Sequence, residues 1–252
     1  MPLPDFLVAG AMKAGTTTLW AMLNQHPEIY VTRPKELHFF DRHFDRGPEW
    51  YADQFTPGAG ERLIGEATPI YMTDPVYHQR MHDTVPQARI LIILREPSAR
   101  AYSHYWMMRE KGSEPFDTFE DGMDAETERW VDPPQLRAKW RFAYVRRGYY
   151  AEQLRGLESL YGRQAMHVMI FEEFLASPQS AMRDAFGFLG ADATKADTVE
   201  LEHRKSSRGA RKAKRGYPPM APQTREELRA HFAPHNAALE DWLGRDVTAW
   251  RS

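Results

Sequence analysis

The segment from Phe6 to Trp20 constrains this chain more than any other part of its sequence. An apolar run leads into a turn of small residues that contains a single lysine, Lys13, and ends in three consecutive threonines. Gly10 and Gly15 let the backbone approach a ligand closely. The first turn of a following helix presents N–H groups and a positive dipole end to an anion. The segment therefore predicts a buried strand, a phosphate-binding turn and a helix.

The turn differs from the P-loop of nucleoside triphosphatases, in which the lysine follows the second glycine. Here Lys13 precedes Gly15, and a threonine follows that glycine. The next strongly apolar run, from Arg89 to Leu94, ends in Arg95, where a metal-binding P-loop enzyme would present an aspartate. Both features favour a phosphorylated ligand that is bound without a metal ion, and we predict no metal site.

Arg95 opens a second motif, Arg-Glu-Pro-Ser-Ala-Arg-Ala-Tyr-Ser. Pro97 suits the first turn of a helix, so we expect Arg95 at the carboxyl end of a strand and Ser103 about two turns into the helix. Ligands of open α/β sheets bind at strand carboxyl ends. Lys13 and Arg95 are therefore predicted to hold two separate phosphates of one nucleotide. For Arg100 the sequence leaves two interpretations open, a ligand contact or a solvated surface charge.

The order of apolar and helical segments indicates the fold class. Strand candidates near Phe6, Leu63, Ile90 and Val168 alternate with helical stretches, which favours right-handed βαβ units. We predict a P-loop-like three-layer α/β/α fold with a central, mainly parallel sheet. With 252 residues, of which 42% are hydrophobic, the chain can bury a sizeable core, and we expect one domain over residues 1–252.

The chain contains four ordered motifs: Lys-Ala-Gly-Thr-Thr-Thr from Lys13, Lys-Glu-Leu-His-Phe-Phe-Asp from Lys35, Gly-Glu-Ala-Thr-Pro-Ile-Tyr from Gly65, and Arg-Glu-Pro-Ser-Ala-Arg-Ala-Tyr-Ser from Arg95. Together they resemble the sulfotransferases that use 3′-phosphoadenosine 5′-phosphosulfate (PAPS), and the nearest likeness is to the heparan sulfate 3-O- and N-sulfotransferase branch. Further likeness near residues 148–154, 168–174 and 234–250 extends the resemblance over nearly the whole chain.

The resemblance implies that the chain binds PAPS and releases 3′-phosphoadenosine 5′-phosphate (PAP). The first motif matches the loop that holds the 5′-phosphosulfate, and the fourth matches the pair that holds the 3′-phosphate. The family's late nucleotide loop appears in altered order within Lys212–Pro218, where Arg215 aligns best and Lys214 or Lys212 replaces a missing lysine. The residues expected to bind the donor are Lys13, Ala14, Gly15, Thr16, Thr17, Thr18, Arg95, Ser103, Lys214 and Arg215.

The second motif matches the catalytic part of the family's site. Glu36 matches the catalytic base, and His38 and Asp41 match positions that line the acceptor site. Alternation along an extended segment would place Glu36 and His38 on one face. The expected reaction is in-line sulfuryl transfer, in which Glu36 takes the acceptor proton and Lys13 neutralises the leaving phosphate. The predicted catalytic residues are Glu36, Lys13 and His38, and whether His38 is catalytic or orienting is left open.

The third motif departs from the resembled branch. The 3-O branch has Glu-Lys-Thr-Pro, whereas here Ala67 precedes Thr68, so one positive charge is missing. Highly anionic heparan sulfate would demand basic residues in the cleft. A saccharide hydroxyl is suggested by the branch, and a small phenol, alcohol or amine fits the missing lysine. O-transfer is preferred over N-transfer because the spacing from Lys35 to Asp41 is nearer the 3-O branch.

Two other function classes stay open, a P-loop kinase or phosphotransferase and a non-catalytic nucleotide-binding module. The basic run from Arg204 to Arg215 by itself suggests nucleic-acid binding. That run is internal, however, a helical pattern from Gln223 to Leu243 follows it, and the net charge is −2. We therefore expect a loop over the nucleotide and no nucleic-acid partner.

The chain contains no cysteine, no basic leader and no apolar run of transmembrane length. These features favour a soluble cytoplasmic enzyme of bacterial type without a membrane partner. The oligomeric state is left open.

Overall fold

The computed structural model describes residues 2–131, 136–201 and 217–251. The strands in these ranges are β1 (Phe6–Gly10), β2 (Ile29–Val31), β3 (Leu63–Ala67), β4 (Arg89–Leu94) and β5 (Met166–Ile170). The helices are α1 (Thr16–Leu23), α2 (Gly47–Ala52), α3 (Pro75–Thr84), α4 (Pro97–Glu110), α5 (Phe119–Asp124), α6 (Glu126–Val131), α7 (Leu136–Arg141), α8 (Tyr150–Tyr161), α9 (Phe171–Ala176), α10 (Pro178–Leu189) and α11 (Pro222–Leu243).

The strands of the described chain form one sheet in the order β2-β3-β1-β4-β5. Every neighbouring pair is parallel, and Phe6 in β1 stands in register with Gly65 in β3 and Arg89 in β4. The predicted α/β class with a parallel sheet and flanking helices is confirmed. The sequence pattern missed β2, because a three-residue edge strand is too short to show a period.

Two compact units divide the described residues. The first contains the described residues of Met1–Arg95 and Glu152–Glu202, and it includes the whole sheet. The second contains those of Glu96–Ala151 and His203–Trp250. The expectation of one domain over residues 1–252 stays a prediction.

The sheet of the first unit is buried on both faces. Phe6, Val8, Leu91 and Ile93 pack into a cluster with residues of α1 and α10, while alternate strand residues such as Ile92 are also fully buried. Strands that are covered on both sides read as continuous apolar runs, which is why β1 and β4 could be located from sequence. This packing holds the strand ends in fixed positions.

The second unit is built around α4 and α11. Tyr105 and Met108 of α4 pack in one hydrophobic cluster with Leu228 and Phe232 of α11. The helix predicted from 223 to 243 is confirmed as α11.

A fully buried arginine corrects one interpretation of the sequence. Arg100 in α4 is 0% exposed, and its guanidinium donates a hydrogen bond to the backbone carbonyl of Tyr144. The solvated-surface interpretation of Arg100 is therefore wrong. The sequence could not show this, because most helix arginines are exposed and the covering residues lie far along the chain.

We expect Gly65→Ala to destabilise the protein. An added Cβ would lie 2.1 Å from the ring of Phe6, and both residues are buried in the sheet. Overpacking of this kind costs ~1–3 kcal/mol. The control is Gly187→Ala in α10, where nothing lies within 4 Å of the added Cβ. There we expect a gain of ~0.5–1 kcal/mol from the better helix former. Urea unfolding of both variants measures the difference, and equal stabilities would contradict the packing described for β3.

Candidate active site

The candidate residues of the first unit lie beyond the carboxyl ends of adjacent parallel strands. The loop with Lys13 follows β1, Arg95 follows β4, and Glu36 stands five residues after the end of β2. Parallel strands place their carboxyl ends along the same edge of a sheet, where ligands of α/β proteins bind. The topology therefore brings these three segments to one edge.

The loop after β1 has the backbone of an anion site. Gly15 is the N-cap of α1 with φ +96°, and a Cβ at this position would lie 2.6 Å from the ring of Phe171. Glycine is thus required both for its conformation and for the close contact. Within the part of the chain that the structure describes, no hydrogen bond occupies the N–H groups of Gly15, Thr16 and Thr17. Such groups at a helix start suit a phosphate or sulfate oxygen.

The side chains of the loop differ in exposure. Thr16 is buried, Thr17 is exposed, and Lys13 and Thr18 are half-buried. Lys13 adopts φ +71°, a left-handed conformation that is uncommon outside glycine. Ala14 is fully buried beneath the turn. The loop is therefore anchored by the buried residues Ala14 and Thr16, while the ammonium group of Lys13 and the hydroxyl groups of Thr17 and Thr18 belong to residues that are at least partly exposed.

Arg95 contacts the same loop. Its Nη1 atom donates a hydrogen bond to the carbonyl oxygen of Lys13 at 3.3 Å, and its guanidinium carbon lies 5.3 Å from the ring centre of Phe171. The aromatic face favours a cation at this position. The structure thus places Arg95 in contact with the loop that contains Lys13, and the binding of two phosphates by these residues stays a prediction.

Three other residues were predicted to bind the donor, and none of them is a described residue of the first unit. Ser103 lies in α4 of the second unit and is half-buried. Lys214 and Arg215 lie outside the described residues.

The segment with Glu36 is not extended, so the alternation predicted for it is wrong. Glu36 and His38 both adopt left-handed backbone conformations, with φ +68° and +56°. A π-helical turn, Phe39–His43, follows directly. Each left-handed residue costs about 1–2 kcal/mol, so contacts from elsewhere must hold the turn. A two-residue period cannot reveal such a turn because the stabilising partners are distant in sequence.

Glu36 and His38 nevertheless meet, through a row of charged groups. Lys35 Nζ lies 2.6 Å from Glu36 Oε1, and Glu36 Oε2 lies 3.6 Å from His38 Nε2. On its other side, His38 Nδ1 lies 3.0 Å from Asp41 Oδ1. The Asp41 side chain is fully buried, whereas that of Glu36 is 42% exposed. The most accessible side chain of the row is therefore that of Glu36.

The row controls the charge of Glu36 and His38. Partial burial raises the pKa of the Glu36 carboxyl, but the neighbouring His38 imidazole and the charge and hydrogen bond of Lys35 outweigh burial and lower that pKa to about 2. Burial lowers the pKa of the His38 imidazole, but its hydrogen bond to Asp41 and the nearby Glu36 carboxylate outweigh burial and raise that pKa. Glu36 is consequently an ionised, solvent-accessible proton acceptor.

Two residues that support this turn, Thr68 and Tyr71, had no individual role predicted from the sequence. The backbone N–H of Phe39 donates to the hydroxyl of Tyr71 at 2.7 Å, and that of His38 donates to Thr68 Oγ1 at 3.4 Å. The sequence did mark their position, because Thr68 and Tyr71 belong to the third motif, from Gly65 to Tyr71. In the same motif, Ala67 is fully buried in the hydrophobic cluster with Phe6.

Among residues 2–131, 136–201 and 217–251, no group of three or more acidic or histidine side chains is arranged to hold a metal ion. None of the helices in these ranges is long and apolar enough to cross a lipid bilayer.

We expect Lys35→Met to raise the pKa of Glu36 from about 2 toward 4.5, its ordinary value, because the variant loses the ammonium charge and its hydrogen bond. Carboxyl ¹³C NMR titration measures this pKa. The matched control is Lys195→Met, which removes a lysine 3.9 Å from Asp192 and should leave Glu36 unchanged. An unaltered Glu36 titration in Lys35→Met would contradict the electrostatic role of Lys35.

The ion pair of Lys35 and Glu36 also affects the stability of the protein in acid. The pKa of Glu36 is lower in the folded chain, so its contribution to stability is present above its ordinary pKa and is lost as pH falls toward 2. The decline in unfolding free energy between about pH 4.5 and 2 should therefore be shallower in Lys35→Met. Urea titrations at several pH values test this, and an equal slope in both proteins would count against it.

Similarity to known proteins identifies the family of this chain. The sequence pattern of the family described as Sulfotransferase domain matches residues 3–234. The bifunctional heparan sulfate N-deacetylase/N-sulfotransferase 4 of Mus musculus is 29% identical over 272 residues, which cover 98% of this chain and 31% of that protein. The membrane-associated sulfotransferase kil1 of Dictyostelium discoideum is 39% identical over 117 residues, which cover 43% of this chain and 25% of the relative.

The chain thus spans about a quarter to a third of the length of these curated relatives. A solved structure matches at full length: the crystal structure of a sulfotransferase from Alicyclobacillus acidocaldarius has a TM-score of 0.82 and 33% identity, with 100% of both chains covered. The chain belongs to the sulfotransferase family.

Proposed function

We propose that this chain transfers a sulfuryl group from PAPS to an acceptor hydroxyl. The observation that carries the proposal is the placement of two kinds of group at one sheet edge. One is an anion-binding loop with Lys13 and Arg95, and the other is the ionised carboxylate of Glu36. Family membership and the full-length structural relative support the same reaction class.

The residues at the loop fit a nucleotide that carries two anionic ends. When bound, PAPS supplies an activated sulfuryl group on a 5′-phosphate and a separate 3′-phosphate. The N–H groups of Gly15, Thr16 and Thr17, with Lys13, would hold the phosphosulfate, and Arg95 would hold the 3′-phosphate. By the family resemblance, Ala14 and Thr18 would also contact the phosphosulfate, and Ser103 would join Arg95 at the 3′-phosphate. The same resemblance assigns Lys214 and Arg215 to nucleotide binding.

Charge placement and proton removal form the proposed mechanism. Glu36 accepts the hydroxyl proton as the acceptor oxygen forms its bond to sulfur, and Lys13 neutralises the phosphate oxygen whose bond to sulfur breaks. An attacking hydroxyl becomes strongly acidic as its oxygen bonds to sulfur, so a carboxylate of low pKa suffices. His38, held by Asp41, keeps Glu36 in place and ionised.

A phosphotransferase function has less support. The strand next to the loop ends in the cation Arg95, where a P-loop kinase would need a carboxylate for magnesium. In the P-loop the lysine follows the second glycine, whereas Lys13 precedes Gly15, and this order also argues against a P-loop phosphotransferase.

For the acceptor, we propose a hydroxyl of a saccharide or small molecule with less negative charge than heparan sulfate. The mouse relative is named for heparan sulfate, but in this chain Ala67 is packed in the hydrophobic cluster where the 3-O branch carries a lysine. O-transfer, a cytoplasmic location and the absence of nucleic-acid and membrane partners stay predictions.

We expect Lys13→Ala and Glu36→Gln each to lower kcat by ~10²–10³-fold, because each removes a preorganised charge from the transition state. Transfer of ³⁵S from labelled PAPS to the best wild-type acceptor measures kcat. Glu49→Gln, at an exposed carboxylate in α2, is the control and should keep wild-type turnover. Full activity in either of the first two variants would remove that residue from the mechanism.

We expect Arg95→Ala to weaken PAP binding by ~10–100-fold, because a charge-assisted hydrogen bond to phosphate contributes ~1.5–3 kcal/mol. Arg89→Ala is a close control, since Arg89 starts the same strand and its guanidinium also lies over an aromatic ring, that of Phe188. Calorimetric titration compares the two variants. Equal affinities would show that Arg95 does not contact the nucleotide.

A further inference from the structure

Glu66 is a fully buried carboxylate that the mechanism above does not use. It lies in β3, between β2 and β1 in the sheet, and is 0% exposed. An acidic side chain at such a position must be satisfied by several donors. Burial raises the pKa of Glu66, although its hydrogen bonds oppose that effect.

Three hydroxyl groups donate to this carboxylate. The hydroxyl of Tyr51 lies 2.5 Å from Oε2, that of Tyr71 lies 2.9 Å from Oε1, and that of Thr68 also donates to Oε1. Tyr51 and Tyr71 are fully buried as well.

The directions of two of these hydrogen bonds are fixed by a second set of partners. Phe39 N–H donates to Tyr71 and His38 N–H donates to Thr68. A backbone N–H can only donate, so each hydroxyl oxygen must accept there and must point its own hydrogen elsewhere. That hydrogen goes to Glu66. The carboxylate therefore sets the orientation in which Tyr71 and Thr68 can receive the backbone.

Aromatic packing also links the tyrosines that contact Glu66 to the turn after His38. The ring of Phe39 stacks on that of Tyr51, with centres 4.2 Å apart and planes at 5°, and Phe40 meets Tyr71 edge to face at 4.9 Å. The two tyrosines that donate to Glu66 thus also hold the side chains that follow His38. The left-handed residues Glu36 and His38 precede this anchored point.

We propose that Glu66 is a positioning residue for the general base, acting through Tyr71 and Thr68 on the backbone that carries Glu36 and His38. This inference rests on the proposed role of Glu36. The role of Glu66 is to accept hydrogen bonds, and its charge is not what the turn requires.

This distinction gives opposite expectations for two substitutions. Glu66→Met keeps the length of the side chain but leaves three hydroxyls without an acceptor. Glu66→Gln can keep its carbonyl oxygen toward Thr68 and Tyr71 while its amide donates to the oxygen of Tyr51. The glutamine variant should therefore restore what the methionine variant loses.

A tyrosine pair supplies the matched control. Tyr71→Phe removes one donor to buried Glu66 and also the acceptor for Phe39 N–H. Tyr144→Phe removes a donor to another buried carboxylate, Glu114, at 2.5 Å in the second unit. Both lose one tyrosine–glutamate hydrogen bond, but only the first touches the turn.

The experiment measures kcat and KM for ³⁵S transfer from PAPS, using whichever of a heparosan oligosaccharide and 4-nitrophenol the wild type sulfates faster. PAP affinity and the unfolding midpoint are measured on the same samples. We expect Tyr71→Phe and Glu66→Met to lower kcat by ~10–100-fold, since small misplacements of catalytic groups have effects of this size. PAP affinity should stay within ~3-fold, and Tyr144→Phe and Glu66→Gln should keep kcat within ~3-fold, as expected of substitutions that leave the turn anchored.

Wild-type kcat in Tyr71→Phe, an equal loss in Tyr144→Phe, or a Glu66→Gln variant as impaired as Glu66→Met would each overturn the proposal. If Glu66→Met does not fold, Tyr71→Phe and Glu66→Gln decide. A wild-type chain that binds PAP but sulfates neither acceptor would contradict the proposed function itself, and that result is obtained before any variant is compared.

Discussion

Parallel pairing of β2, β3, β1 and β4 is the constraint on which the site depends. Because these strands run in one direction, the segments that follow them meet at a single edge, although they are distant in sequence. The strands are buried on both faces, so their ends are held rigidly by packing. The loop that we propose binds the anionic donor and the segment that contains the proposed base, Glu36, therefore follow different strands of one sheet.

Electrostatics at this edge follow from local backbone geometry. Left-handed conformations at Lys13, Gly15, Glu36 and His38 turn the chain back on itself after β1 and β2. One turn contains the N–H groups of the α1 helix start, which we propose bind an anion, and the other places Lys35, Glu36, His38 and Asp41 in a row. Opposite charges within the row keep Glu36 ionised despite partial burial. Buried groups of β3 and the loop after it hold the second turn in place.

The sequence predicted those features whose causes are local. The segment from Phe6 to Trp20 contains its own strand, glycines and helix start, so its structure could be anticipated, as could β4 with Arg95 behind it. The turn at Glu36 could not, because its geometry depends on Thr68 and Tyr71, which lie about thirty residues later. Burial of Arg100 likewise depends on Tyr144. The family resemblance identified Glu36 and His38 as neighbours although the alternation argument for them was wrong.

The proposed function requires that Arg95 and the loop with Lys13 bind a nucleotide through its 3′-phosphate and 5′-phosphate without a metal ion. Calorimetric titration of the wild-type chain with PAP, ADP and ATP, each with and without magnesium, tests it most directly. We expect PAP to bind much more tightly than ADP, and we expect magnesium to make no difference to either affinity. Absence of PAP binding, or preference for ATP with magnesium, would contradict it and would favour a phosphotransferase.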